Sequence, residues 1–108
     1  MKRGEIYRVR RPPGDPKPAR SFVIVSRQAL IDSNYSTVIC APVFSERLGL
    51  STQVPIGPDE GLKHDSAVNC DALVSIDRAR LTDFVGSLGG EKLALLEAAL
   101  AAALSLPA

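Results

Sequence analysis

A ten-residue stretch, Ser36–Ser45, constrains most strongly how this chain can fold. Apart from its ends it is almost wholly apolar and rich in β-branched residues, which pack well on the pleated surface of a sheet. It is too short for a typical helix and is interrupted by Pro42. Because proline donates no ladder hydrogen bond, we predict a buried central strand whose regular pairing ends at Pro42 and which presents Phe44 and Ser45 at a rim.

A second apolar run, Phe22–Ser26, follows directly after the sequence Arg20–Ser21. It is the natural pairing partner of the central strand, since both runs are short, apolar and β-branched. A cation, Arg20, then lies at the end of one buried strand, and a hydroxyl, Ser45, lies at the end of the other.

Turn signals divide the rest of the chain into further short strands and one terminal helix. The segment Ser66–Ile76 is predicted to be a single long strand in which Asn69 and Asp71 face the same side. Helical spacing of leucines predicts the helix, and its alanine-rich remaining faces favour contact with a second chain as much as burial in a monomer. The other predicted elements are strands at Glu5–Arg10, Thr52–Ile56 (an edge strand) and Leu81–Leu88, a helical turn at Arg27–Asp32 and the helix Glu91–Leu104.

This element order predicts a mostly β (α+β) fold, a small partly open β-barrel with a C-terminal α-helix. A chain of 108 residues is long enough for one such domain, over 1–108, and too short for two. No signal peptide or membrane span is expected, and Cys40 and Cys70 lie in apolar runs without metal-ligand spacing. We therefore expect a cytoplasmic protein with reduced cysteines and no membrane association.

The net charge of +1 hides a strong asymmetry along the chain. Residues 1–27 hold eight of the 13 basic residues and two acidic ones, a net charge of +6, which predicts a local anion-binding face. A loop stiffened by prolines 12, 13, 16 and 18 delivers the chain to Arg20. The candidate anion-binding cations beside Arg20 are Arg8, Arg10, Arg11 and Lys17. The alternative is that these residues only keep the protein soluble.

The remaining inventory of reactive side chains is small. The single histidine, His64, lies in a charged loop and is interpreted as a solvated residue, and no metal-ligand or phosphate-loop motif is present, so neither a metal nor a cofactor is expected. Metal-free cleavage of RNA fits this inventory, because the ribose 2′-OH supplies the nucleophile. Arg20 would then grip phosphate oxygens, Ser45 would hydrogen-bond the scissile phosphate and Asp71 would accept a proton or position the ribose. Each of the three also has an ordinary structural interpretation, as an ion-pair partner, a turn former and a buried acceptor.

The order and spacing of several segments together resemble the MazF/PemK family of toxin endoribonucleases over nearly the whole chain. The matching segments are Arg3–Tyr7, Arg20–Ser26, Ala41–Ser45, Thr52–Ile56, Asp65–Asp71, Ser75–Leu81 and Val85–Leu88, followed by a helix. The resemblance implies an SH3-like barrel that forms a homodimer and cleaves single-stranded RNA at selected sequences. It also implies a cognate, MazE-like antitoxin whose acidic disordered tail blocks the RNA groove.

The chain departs from the family pattern at three places. It has Arg20–Ser21 where the family usually has Arg-Pro, and Asn69 where members often carry an arginine. Phe44 and Ser45 align with a position pair that usually begins with threonine, and Asn69 takes the place of that arginine, so all three are assigned to the RNA site. The departures keep two alternatives open: a weak or inactive barrel that binds antitoxin or RNA, or a barrel that binds gyrase.

Overall fold

The computed structural model describes residues 1–11, 13–17 and 19–107, so two prolines of the predicted stiff loop, Pro12 and Pro18, lie outside the described residues. Seven antiparallel strands form one curled sheet, and a 15-residue helix follows them. The strands are β1 (Glu5–Val9), β2 (Arg20–Ile24), β3 (Thr37–Phe44), β4 (Gln53–Ile56), β5 (Ser66–Asn69), β6 (Val74–Asp77) and β7 (Asp83–Ser87). The helices are α1 (Gln28–Ile31) and α2 (Gly90–Leu104), with 3-10 turns at Pro58–Glu60, Cys70–Ala72 and Arg78–Arg80.

Strand β3 is the centre of the sheet. It pairs with β2 along one side, while on the other side its first half pairs with β6 and its last two residues pair with β5. The path β4-β5-β3-β2-β1-β7 therefore bends around β3, with β4 at one end. The predicted fold class, a mostly β and partly open barrel with a C-terminal helix, is confirmed, as is the position of β4 at an edge.

The prediction that pairing ends at Pro42 is wrong. Pro42 lies opposite Phe22 in the β2–β3 ladder, and β3 continues to Phe44. On its other side β3 changes partner here, because pairing with β6 covers Thr37–Cys40 and pairing with β5 resumes at Val43. A residue without an N–H is tolerated inside a central strand where it falls in such a gap between partners.

The predicted long strand Ser66–Ile76 is also wrong, because it is two strands separated by a 3-10 turn. The side-chain oxygen of Asn69 accepts a hydrogen bond from the backbone N–H of Asp71 at 2.8 Å, which closes the turn. This local bond competes with the sheet ladder, as asparagine side chains commonly do. Asn69 and Asp71 consequently do not share one face of a strand.

Two clusters of apolar residues form the core on either side of the sheet. Leu96 and Ala99 of α2 are buried against the first cluster, whereas Leu95 and Leu104 of the same helix remain exposed. No helix within 1–11, 13–17 and 19–107 is long and apolar enough to cross a membrane.

Both cysteines are buried free thiols, as predicted. Burial raises the pKa of Cys40 to about 12. Burial, with a smaller contribution from the charge of Asp71, raises the pKa of Cys70 to about 11. Both thiols are therefore protonated at neutral pH, and since a thiol reacts as its thiolate, neither supplies a nucleophile.

Candidate functional site

The register of β2 and β3 brings Arg20 and Phe44 together. Phe22 lies opposite Pro42 in this ladder, so the same register continued by two residues sets Arg20 opposite Phe44 on the same face. The guanidinium carbon of Arg20 lies 4.8 Å from the centroid of the Phe44 ring, which is a cation–π contact. The side chain of Arg20 donates no hydrogen bond to any of the described residues. Its N–H groups are therefore available to a ligand.

Three surface cavities meet at this Arg20–Phe44 pair, and each is named here by its lining. The basic cavity has a volume of about 430 Å³ and contains Ser45 and His64 beside five cations. The amide cavity, about 380 Å³, contains Ser45, Gln53 and Asn69. The β6 cavity, also about 380 Å³, is lined by Ser75 and by apolar residues of β2, β3 and β6. The five cations of the basic cavity are Arg8, Arg11, Lys17, Arg20 and Lys63.

Ser45 is held in place by the arginine that follows it in the loop after β3. Nε of Arg47 donates to the carbonyl of Ser66 at 2.9 Å, and an Nη group of Arg47 donates to the carbonyl of Ile56 at 2.7 Å. These two bonds tie the loop to β4 and β5, and an ion pair of 3.6 Å between Arg47 and Asp65 adds to them. The exposed Ser45 hydroxyl is thereby kept at the boundary between the basic and the amide cavities.

The structure brings together most of the sequence-predicted residues, but two of them lie apart. Arg20, Ser45, Phe44, Arg8, Arg11, Lys17 and Asn69 all line the basic or the amide cavity. Arg10 instead lines a separate cavity of about 210 Å³ with Arg80 and Asp83. Asp71 lines none of the three cavities at Arg20, and its carboxylate accepts a hydrogen bond of 2.6 Å from the hydroxyl of Thr52.

Sequence reasoning missed four residues that line these cavities. His64, interpreted as a solvated loop residue, is exposed but lines the basic cavity with Arg20 and Ser45, as does Lys63. Gln53 lines the amide cavity and Arg80 lines the β6 cavity. Their separation from Arg20 along the chain exceeds 30 residues, so only the pairing of the strands reveals that they lie near it.

Within the described part of the chain, no three His, Cys, Asp or Glu side chains converge as a metal site would require.

Solved structures share this architecture and the whole length of the chain. The Mycobacterium tuberculosis toxin MazF-mt6 superposes with a TM-score of 0.83 at 26% identity, over 96% of this chain and 99% of that one. An endoribonuclease bound to its cognate antitoxin, from a mycobacterial species, gives a TM-score of 0.84 at 28% identity, over 100% of this chain and 98% of that one. The structure of a MazE–MazF complex from Deinococcus radiodurans matches at 19% identity with a TM-score of 0.78, over 99% of this chain and 98% of that one. This likeness concerns the fold alone.

The protein has a curled sheet of seven strands, a C-terminal helix, and cations with a hydroxyl at one rim of the sheet. These features place it in the class of small barrels to which the similar toxins belong. The sequence model for the PemK-like, MazF-like toxins of type II toxin–antitoxin systems matches residues 2–104. The chain belongs to this family, as its sequence segments predicted.

Proposed function

We propose that this protein is the toxin of a toxin–antitoxin pair and cleaves single-stranded RNA without a metal, at selected sequences, as one domain over residues 1–108. The observation that carries the proposal is Arg20, whose guanidinium forms no hydrogen bond with the described residues and lies where three cavities meet. A mycobacterial endoribonuclease with 27% identity and a TM-score of 0.81, over 100% of this chain and 94% of that one, supports it. The cytoplasm, where such RNA is found, is the proposed place of action.

In the proposed reaction the ribose 2′-oxygen attacks the phosphorus and the bond to the 5′-oxygen breaks. The planar guanidinium of Arg20 donates hydrogen bonds to two phosphate oxygens and stabilises the negative charge that develops on them. The hydroxyl of Ser45, in the loop that the Arg47 bonds tie to β4 and β5, donates to the same phosphate. The products are a 2′,3′-cyclic phosphate and a 5′-hydroxyl end.

Two side chains are candidates for proton transfer. Asp71, proposed from the sequence, holds a hydrogen bond with Thr52 and reaches substrate only if RNA extends past the amide cavity. His64 lines the cavity that contains Arg20 and Ser45, and a histidine ring can both donate and accept a proton. We favour His64, because a general acid or base must lie within hydrogen-bond reach of the proton that it transfers.

The test is a digest of a long single-stranded RNA by the purified protein in excess EDTA, with both ends of every cut mapped. We expect cuts at a limited set of sequences, each leaving a 2′,3′-cyclic phosphate and a 5′-hydroxyl. His64→Gln should lower the single-turnover rate, whereas Asp71→Asn should leave it unchanged. Intact RNA at high enzyme concentration would overturn the proposal and leave the binding-only alternatives, to be separated by measuring RNA, antitoxin and gyrase binding.

A cognate antitoxin is the proposed protein partner, by similarity to the mycobacterial endoribonuclease that is bound to one. The five cations around the basic cavity would attract an acidic segment. A disordered antitoxin tail rich in Asp and Glu would fold along the cavity and cover Arg20.

A homodimer is proposed from an apolar groove on the far side of the sheet. The groove, about 570 Å³, runs between the end of α2 and β3, and the ion pair of Arg3 with Glu97, at 2.8 Å, lies at its rim. Its apolar lining includes Ile39, Leu73, Leu100, Leu104 and Leu106. Exposed patches of this kind usually mark an interface.

Light scattering at micromolar concentration should therefore give about twice the monomer mass of 11.5 kDa. Leu104→Glu, in the groove, should shift the protein toward the monomer, because a charge in an apolar interface is left without a partner. Leu48→Glu, at an exposed leucine outside the groove, is the matched control and should leave the mass unchanged.

A further inference from the structure

The amide cavity has a lining that suits a nucleobase better than a phosphate. Arg20 reaches it at one end, and its other polar side chains include two neutral amides, Gln53 and Asn69, and a carboxylate, Glu46. Phe44 and Leu48 supply apolar surface. Aromatic and apolar walls with a few fixed polar groups are typical of sites that bind an unstacked base.

The orientations of the two amides are fixed by the protein itself. The side-chain oxygen of Gln53 accepts the backbone N–H of Leu48 at 2.8 Å, and that of Asn69 accepts the backbone N–H of Asp71 at 2.8 Å. Because the oxygen faces a donor in each case, the NH2 group must be the other end of the amide. Neither NH2 group donates a hydrogen bond to any described residue.

Gln53 and Asn69 lie directly opposite each other in the β4–β5 ladder, so their side chains project from the same face. The cavity therefore presents two neighbouring N–H donors, with the Glu46 carboxylate as an acceptor in the same lining. The complementary base edge needs two adjacent acceptors followed by a donor.

Cytosine has this edge, with O2 and N3 as adjacent acceptors and the N4 amine as the donor. Uracil separates its two carbonyl acceptors by the N3–H donor, so the two neighbouring amides must share one carbonyl oxygen if Glu46 accepts from N3. Adenine offers one ring acceptor beside its amine, and guanine has a single acceptor, O6, on the edge that carries its N–H donors, so the two amides again share one atom. Cytosine is the base that provides a separate atom for each of the three groups.

We propose that the amide cavity is a cytosine-binding subsite that selects the RNA sequence bound beside Arg20. Gln53 and Asn69 donate to O2 and N3, Glu46 accepts from N4, and the base packs against Phe44. This inference rests on the proposed function, since it identifies a base of the same RNA substrate.

The test measures binding of three uncleavable 2′-O-methyl oligonucleotides, nine residues each of cytidine, uridine or adenosine, by fluorescence anisotropy at one salt concentration. A base matched by two or three hydrogen bonds should be preferred by a factor of about 10 or more. We expect the cytidine oligomer to bind about tenfold more tightly than the other two.

Two nearly isosteric variants isolate the subsite. Gln53→Glu and Asn69→Asp keep the oxygen that accepts the backbone N–H and replace the donating NH2 with an acceptor. Each should bring the ratio of cytidine to uridine affinity close to one, and the ratio cancels the general effect of the added negative charge. Asn34→Asp, at an exposed residue between α1 and β3 and outside the three cavities, adds the same charge and should leave the ratio unchanged.

A wild-type ratio near one, or a ratio that survives both variants, would overturn the cytosine subsite. If such a protein still cuts RNA in EDTA, the subsite alone has failed. If the protein selects cytidine but cuts no RNA, the subsite stands and cleavage has failed. If it binds none of the three oligomers, the subsite is overturned, and the digest in EDTA alone decides whether cleavage stands.

Discussion

Replacing Arg20 with lysine is expected to slow RNA cleavage about a hundredfold although the positive charge is kept. A lysine ammonium is a point charge and cannot hold two phosphate oxygens in the planar fork that a guanidinium offers. It also stacks less well on the Phe44 ring, which lies 4.8 Å from the guanidinium carbon. Single-turnover cleavage rates of the two proteins, measured in EDTA, provide the comparison.

The control for this prediction is Arg27→Lys, at an exposed arginine that precedes α1 and lines none of the three cavities. Its cleavage rate should equal that of the wild type. Both variants should unfold at the wild-type temperature, because Arg20 is exposed and forms no hydrogen bond with the described residues. A fully active Arg20→Lys protein would show that Arg20 attracts RNA without acting on the phosphate.

Single-stranded RNA binding should weaken about a hundredfold between 50 and 200 mM monovalent salt, as expected when about five phosphates are neutralised. The five cations of the basic cavity set this expectation, since each phosphate that they neutralise releases counterions. Affinities of the uncleavable uridine oligomer at several salt concentrations give the slope. An acidic antitoxin peptide should compete for the same cations, so the two ligands should exclude each other in a titration.

Substitutions in the basic cavity will test whether the salt dependence originates there. Lys17→Ala combined with Lys63→Ala should reduce the slope by about one to one and a half logarithmic units per decade of salt. Arg10→Ala, which lies in the separate cavity with Arg80 and Asp83, should change the slope less. A ternary complex of toxin, RNA and antitoxin peptide would contradict a shared site, and an unchanged slope in the double variant would place RNA elsewhere.

Most of the fold is predictable from the sequence, because its strands are marked by local patterns. Apolar β-branched runs locate β2 and β3, and leucine spacing locates α2 to within one residue of its observed start. The two errors have different physical origins. Pro42 is tolerated because β3 exchanges β6 for β5 at that point, which partners remote in sequence decide. The turn after Asn69 is local, since the Asn69 side chain bonds the backbone N–H of Asp71 and interrupts the strand.

The candidate site is predictable only in part. Charge patterning and family resemblance lead to Arg20, Ser45 and most of the basic loop, which lie on or beside two strands recognisable from sequence. The placement of His64 and Gln53 depends on how β4 and β5 fold back against β3, and no local pattern encodes that. Asp71 is assigned to the site from the family pattern and remains a prediction, since it bonds to Thr52 and lines none of the three cavities at Arg20.

Phe44 has a consequence for the rotational freedom of the cation that it contacts. An exposed arginine normally samples many rotamers, and ordering such a side chain on a ligand costs about 0.5–1.5 kcal/mol. The ring restricts Arg20 before any ligand arrives, and it does so through its π-face, which occupies none of the N–H donors. A threonine at this position would supply a hydroxyl but no such platform. This chain therefore has an aromatic ring in place of a hydroxyl, and its cation is already oriented before any ligand binds.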